Sequence, residues 1–249
     1  MTSASRDTRA IRFLQAAGLL LLPALLQAAG KPCNDCCQLP CVEAEIRYAL
    51  QMQKWYRTQA RVPNLTPEQY EAAEKKKAEE LSKERAKDAG RLTACKWNLP
   101  DPKTDPVAVR QWSAARWSIT SDDKGNISYN FTMKTDKDKC TLSEKQISMY
   151  HEIAPCEGMA DAAEKHERYH VDSCDKRKGR KATMADVVKD EIDAYDEELK
   201  QLNALRESLE KICNKSTCKD KDTGVVKRQL EKELEELKQQ LAKRGGKGR

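Results

Sequence analysis

Apolar residues recur at helical spacing along most of this chain and alternate at a period of two in a single stretch. From Val42 to about Ala60, Ile46, Ala49, Leu50, Trp55 and Tyr56 fall near one helical face, which predicts an amphipathic helix. Arg61-Val62-Pro63-Asn64 breaks it. Thr66 as N-cap, Pro67 at the first helical position and Gln69 closing a capping box predict a second helix, with Gly90 past its end. Between Glu71 and Asp88 that helix is charged nearly all round, the pattern of a solvated face rather than of a site. Pro100, Pro102 and Pro106 predict an irregular linker. Over 114–135 the period drops to two: Trp117 and Ile119 precede the polar turn Asp122–Asn126, and Ile127, Tyr129, Phe131 and Met133 follow it, which predicts a β-hairpin.

Helical periodicity then resumes, from Ala160 to about Cys174, from Thr183 to Ile212 and from Val225 to about Lys243. The last two carry Val188, Ile192, Tyr195, Leu199, Leu202 and Leu209, spaced 4,3,4,3 with one gap, then Val226, Leu230, Leu234, Leu237 and Leu241, in steps of three or four. Such spacing predicts two helices packed antiparallel as a short coiled coil. Cys213 and Cys218 bracket the turn between them and are expected to be bonded to each other. The expected class is therefore mainly α with a small β-hairpin (α+β).

The first thirty residues follow a different logic. Arg6, Arg9 and Arg12 precede an uncharged, leucine-rich run from Phe13 to Gly30, and Ala28 and Gly30 suit cleavage before Lys31. That is the three-part pattern of a secretory signal peptide; Pro23 and the run's modest length argue against a membrane anchor. All ten cysteines lie beyond this segment. An even number in an exported chain implies up to five disulfides, with no free thiol and with a connectivity that spacing does not fix. Localisation is expected to be secreted or periplasmic, with no stable membrane span after cleavage.

Charge narrows the partners. The chain has 46 Lys+Arg and 40 Asp+Glu, and 35% of it is charged against 5% aromatic. Three arginines and one aspartate precede Lys31, leaving 43 basic against 39 acidic side chains, mild and interspersed. A nucleic-acid partner is not expected from that distribution. So lean an aromatic content also means that disulfides carry part of the stability.

The chemistry concentrates at His166-Glu167-Arg168-Tyr169-His170. Two of the three histidines stand four residues apart, hence on one helical face, where both imidazoles can turn to one ion. Zn2+ accepts imidazole nitrogen readily in a tetrahedral shell. Glu167 sits about 100° round the helix, where its carboxylate can serve a water at the metal as general base. His151 is a minor candidate, as an oxyanion partner or alternative ligand, and Tyr195 is expected to be a packing aromatic.

The His-Glu-x-x-His run resembles the zincin-type zinc metallopeptidases. The metzincin extension is absent, Ser173 and Lys176 standing where its glycine and third histidine belong. A gluzincin-like arrangement, with a glutamate ligand on the next helix, matches better. Glu191 lies 21 residues after His170, beside Val188 and Tyr195 on the packed side, with Asp190 and Asp193 as competing carboxylates. Glu191-Ile192-Asp193-Ala194-Tyr195 is similar to the third-ligand helix of small secreted bacterial metallopeptidases of effector or toxin type. The resemblance implies Zn2+ held by His166, His170 and Glu191, with Glu167 as base and a protein or peptide substrate, a cell-wall peptide among them. It also gives the hairpin a role, its edge holding an extended substrate as an added strand. The other expectation, of a different class, is a non-catalytic, disulfide-rich helical binding protein. Domain organisation is expected as a signal segment 1–30, a Cys-rich and helical region 31–110, a metal-binding core 111–200, and a helical arm with basic tail 201–249.

Overall fold

The computed structural model describes residues 31–62, 66–90, 92–123, 126–136, 138–177, 179–215, 217–218 and 223–245. The expected signal segment 1–30 lies outside the described residues. The described chain is mainly helical with one small antiparallel sheet, in the order α1 (Leu39–Gln59), α2 (Pro67–Asp88), α3 (Pro106–Ala114), β1 (Ser118–Ser121), β2 (Ile127–Asn130), α4 (Glu144–Ile153), α5 (Glu157–Lys176), α6 (Met184–Cys213) and α7 (Thr223–Gly245). Among these, no helix is long and apolar enough to cross a membrane.

The central element is α1. A 3-10 turn at Cys36–Gln38 leads into it, with Asp35 and Gln38 forming a capping box, and Pro40 starts the helix without disrupting it because a first-turn N–H has no helical partner anyway. Leu39, Val42, Ile46, Ala49, Met52 and Tyr56 are all buried. At roughly 1.5–3 kcal/mol for each large apolar side chain, this face anchors the fold. It packs against α2, α6 and α7. The charged helix α2 begins at the expected capping box, with Thr66 Oγ1 accepting from Gln69 N. It reaches the core mainly through Tyr70 and Leu81.

Both helices of the C-terminal arm lean on α1, and the bridge expected between Cys213 and Cys218 is not formed. Cys36 pairs with Cys213 and Cys37 with Cys218. Neighbouring cysteines at the entrance to α1 thus fasten the end of α6 and the connection beyond it to the N-terminal segment, because α1 is the common packing partner of the arm. The spacing of Cys213 and Cys218 suggests a local loop, but tertiary packing brings nearer partners. The remaining bridges are Cys33–Cys156, Cys41–Cys95 and Cys140–Cys174, and no cysteine is free. Five disulfides are the covalent pattern of an oxidising, exported environment. Bridges that close loops this long contribute about 2–5 kcal/mol each.

A second, aromatic cluster lies over the hairpin. Trp112, Trp117, Met133, Ile147, Met149 and Ile153 are buried there, with Trp97, Tyr129, Phe131 and Tyr150 against them. The hairpin occurs where alternation predicts it, pairing Ser118 with Asn130 and Ser121 with Ile127. Two helices around it are additions to the expected picture. In α3, Asp105 caps Ala108 N and Pro106 occupies the helix start, so a proline read as linker is a helix-initiating residue. In α4, Ser143 caps Gln146 N. Gln146 Nε2 then donates to Ala115 O, tying α4 to the turn before β1. The boundary expected at residue 200 falls inside α6, and the larger core draws on α1, α2, α5, α6 and α7 together.

Candidate metal centre

The expected histidine helix is α5, and disulfides hold it at both ends. Cys156 is its N-cap residue and is bonded to Cys33, while Cys174 in its last turn is bonded to Cys140. Helix α6 starts at a capping box of Thr183 and Asp186 and runs back antiparallel along α5. The two helices approach closely at Gly158, where an added Cβ would come within 3.0 Å of Leu205 Cδ2.

His166, His170 and Glu191 come together as expected. His166 Nε2 and His170 Nε2 are 3.2 Å apart, and Glu191 Oε2 is 3.5 Å from the first and 3.4 Å from the second. A tetrahedral zinc with bonds of about 2.0–2.1 Å separates its ligand atoms by about 3.3–3.4 Å. The donor set and its spacing therefore fit such an ion. The three side chains are only 11–14% exposed. Burial works against charge on His166, yet the contacts with Glu191 and Glu198 outweigh it and push the imidazole up to about 10. Burial likewise opposes the Glu191 carboxylate, and the two histidines hold it well below the usual carboxylate range.

The competing carboxylates are occupied elsewhere. Asp190 accepts from Ser173 Oγ and pairs with Arg177. Asp193 accepts from Tyr169 Oη at 2.9 Å and pairs with Lys189. A small cavity of about 20 Å3 adjoins His170 and Glu191, walled by Arg177, Ala182, Val187 and Asp190. A space that size admits one water, which needs about 10–15 Å3.

Glu167 is half-buried, and its Oε2 accepts from Thr135 N at 2.9 Å and Thr135 Oγ1 at 3.0 Å. Thr135 Oγ1 also lies 2.9 Å from Glu167 O. The segment leaving β2 is thus held against the motif by its own general-base candidate. His151 stands apart from this group: its Nε2 meets Glu164 Oε2 at 3.0 Å and Asp161 Oδ1 at 4.0 Å. Tyr195 packs edge-on to His166, with ring centroids 4.4 Å apart.

Two residues in contact with the motif carry little local signal in the sequence. Thr135 depends on tertiary packing that no local pattern reports. Glu198, whose Oε2 is 2.9 Å from His166 Nδ1, did leave a trace: it lies seven residues after Glu191, on the same face of α6. Comparison of the chain with known protein families, with curated proteins and with solved structures finds no match.

Proposed function

We propose that the chain is an exported zinc-dependent hydrolase of peptide bonds, with His166, His170 and Glu191 as ligands and Glu167 as general base. The observation that carries this reading is the triangle of ligand atoms, 3.2–3.5 Å on each side. Zinc held there supplies Lewis acidity toward a carbonyl oxygen and toward water. The residues of the chain do the rest. Thr135 holds Oε2 of Glu167, and in this proposal the carboxylate takes the proton of the attacking water and returns it to the leaving amine. The approach for substrate is the cavity beside His170 and Glu191, walled by Arg177 and Ala182.

The enclosure of the site favours one alternative. Ligands so little exposed, beside a cavity the size of one water, also suit a structural metal in a non-catalytic, disulfide-rich binding protein. Zinc analysis and casein cleavage, run on the mature chain and on Glu167→Gln, separate the readings. The hydrolase predicts about one zinc per chain in both proteins, with cleavage lowered about 10²–10⁴-fold in the variant. Stoichiometric zinc with no cleavage by the wild type leaves the structural centre. Absence of zinc removes both metal readings.

A further inference from the structure

We infer that Glu198 is the positioning residue of this centre, orienting His166 so that Nε2 faces the metal. The inference rests on the metal reading above. An imidazole has two ring nitrogens, and the hydrogen bond made by one decides what the other offers. His166 Nδ1 is 2.9 Å from Glu198 Oε2, while Nε2 is the atom that faces Glu191 and His170. With Nδ1 donating to the carboxylate, the lone pair of Nε2 is directed into the triangle. A carboxylate partner also makes the imidazole a stronger donor toward a cation.

The placement is economical in helical terms. Glu191 and Glu198 are two turns apart on α6, so one helix face supplies both a ligand and the group that orients another ligand. The Glu198 side chain is only 13% exposed. Bulk water is therefore not at hand to replace it. Among the described residues, His170 meets no carboxylate other than Glu191, so the effect of Glu198 falls on His166 alone.

The test compares the mature wild type with Glu198→Gln, which keeps size and polarity and removes the charge. Zinc affinity is measured by competition with a chelator, and the visible spectrum is recorded with cobalt in place of zinc. Zinc affinity is expected to fall about 10–100-fold, and the cobalt bands to move, because a reoriented imidazole changes the field at the metal. If Glu198→Gln does not fold, Glu198→Asp is read in the same way, since its shorter arm draws the charge away from Nδ1. Unchanged zinc affinity together with an unchanged cobalt spectrum in the variant overturns the positioning role and leaves the metal centre standing. A wild type that takes up neither metal overturns both.

Discussion

Glu191 and Glu43 are the same residue type, each on a helix that packs into the larger core, and their environments drive them in opposite directions. Glu191 meets two histidines and is held ionised well below the usual range against the effect of its burial. Glu43, on α1, is 2% exposed, and its Oε2 has no hydrogen-bond partner among the described residues. Burial first, and Glu231 on α7 second, push its carboxyl up to about 7. Burial beside a like charge therefore shifts a glutamate toward its neutral form, and convergent cationic partners keep one charged. That difference separates a site from an incidental buried acid.

The largest expected effect tests the first half of the comparison. Glu191→Ala removes one of the three proposed ligands and should weaken zinc binding more than about 1,000-fold, since outer-sphere losses alone reach about 100-fold. Asp190→Ala and Asp193→Ala should change it little, because Arg177 and Ser173 occupy the first carboxylate and Tyr169 and Lys189 the second. Zinc titration of the three variants checks this. Retention of zinc by Glu191→Ala, with loss in either aspartate variant, would reassign the third ligand.

The second half predicts a pH effect. Because the folded Glu43 carboxyl sits at about 7 against an ordinary 4.5, the folded chain binds its proton more tightly than the unfolded chain does. The associated stability is fully present below about 4.5 and is lost as pH rises through about 7, at most about 3 kcal/mol. Lys227 and Glu231 on α7, and Arg206 and Glu210 on α6, are the charged groups acting on it. Glu43→Gln stays neutral and should flatten this part of the profile. Denaturant unfolding at pH 5 and pH 8, with zinc saturating, measures it. An equal loss of stability in variant and wild type between those pH values would remove Glu43 from the account.

The two glutamates also differ in how far the sequence announces them. His166 and His170 are legible from a four-residue step. Glu191 is legible because Val188 and Tyr195 mark the packed side of its helix. Glu198 carries the same mark, but it sits in Asp196-Glu197-Glu198, a run that reads as solvated until α5 is known to lie over it. Glu43 and its neighbours sit on a helix whose apolar pattern was plain, but its burial depends on α6 and α7 packing against that face. The hairpin and five of the seven helices follow from local periodicity. The helix α3 was hidden because Pro106 both breaks a preceding element and starts a following one. The bridges of Cys36 and Cys37 were illegible for a simpler reason: separations of 177 and 181 residues are closed by tertiary packing, which no spacing rule reports.

The smallest expected effect concerns the other cluster of histidine and carboxylates, on the outer side of α5. His151 meets Glu164 at 3.0 Å and Asp161 at 4.0 Å, which makes a second group of ligand-type side chains, with one histidine in place of two. Its geometry differs, since Arg168 Nε also reaches Glu164, at 2.5 Å. A guanidinium on the shared carboxylate opposes a second cation there, and Asp161 is 55% exposed. Burial raises the Glu164 carboxyl, but Arg168 and His151 outweigh it and leave it below its ordinary value. His151 and Glu164 are only 15% and 18% exposed, and a hydrogen bond to a charged group contributes about 1.5–3 kcal/mol. His151→Ala should therefore lower stability by no more than that and leave zinc content and affinity at wild-type values. Thermal unfolding with metal analysis checks both. Loss of zinc from His151→Ala would mean that the ion prefers this group, and that convergence of the three atoms at His166, His170 and Glu191 is not enough to hold it.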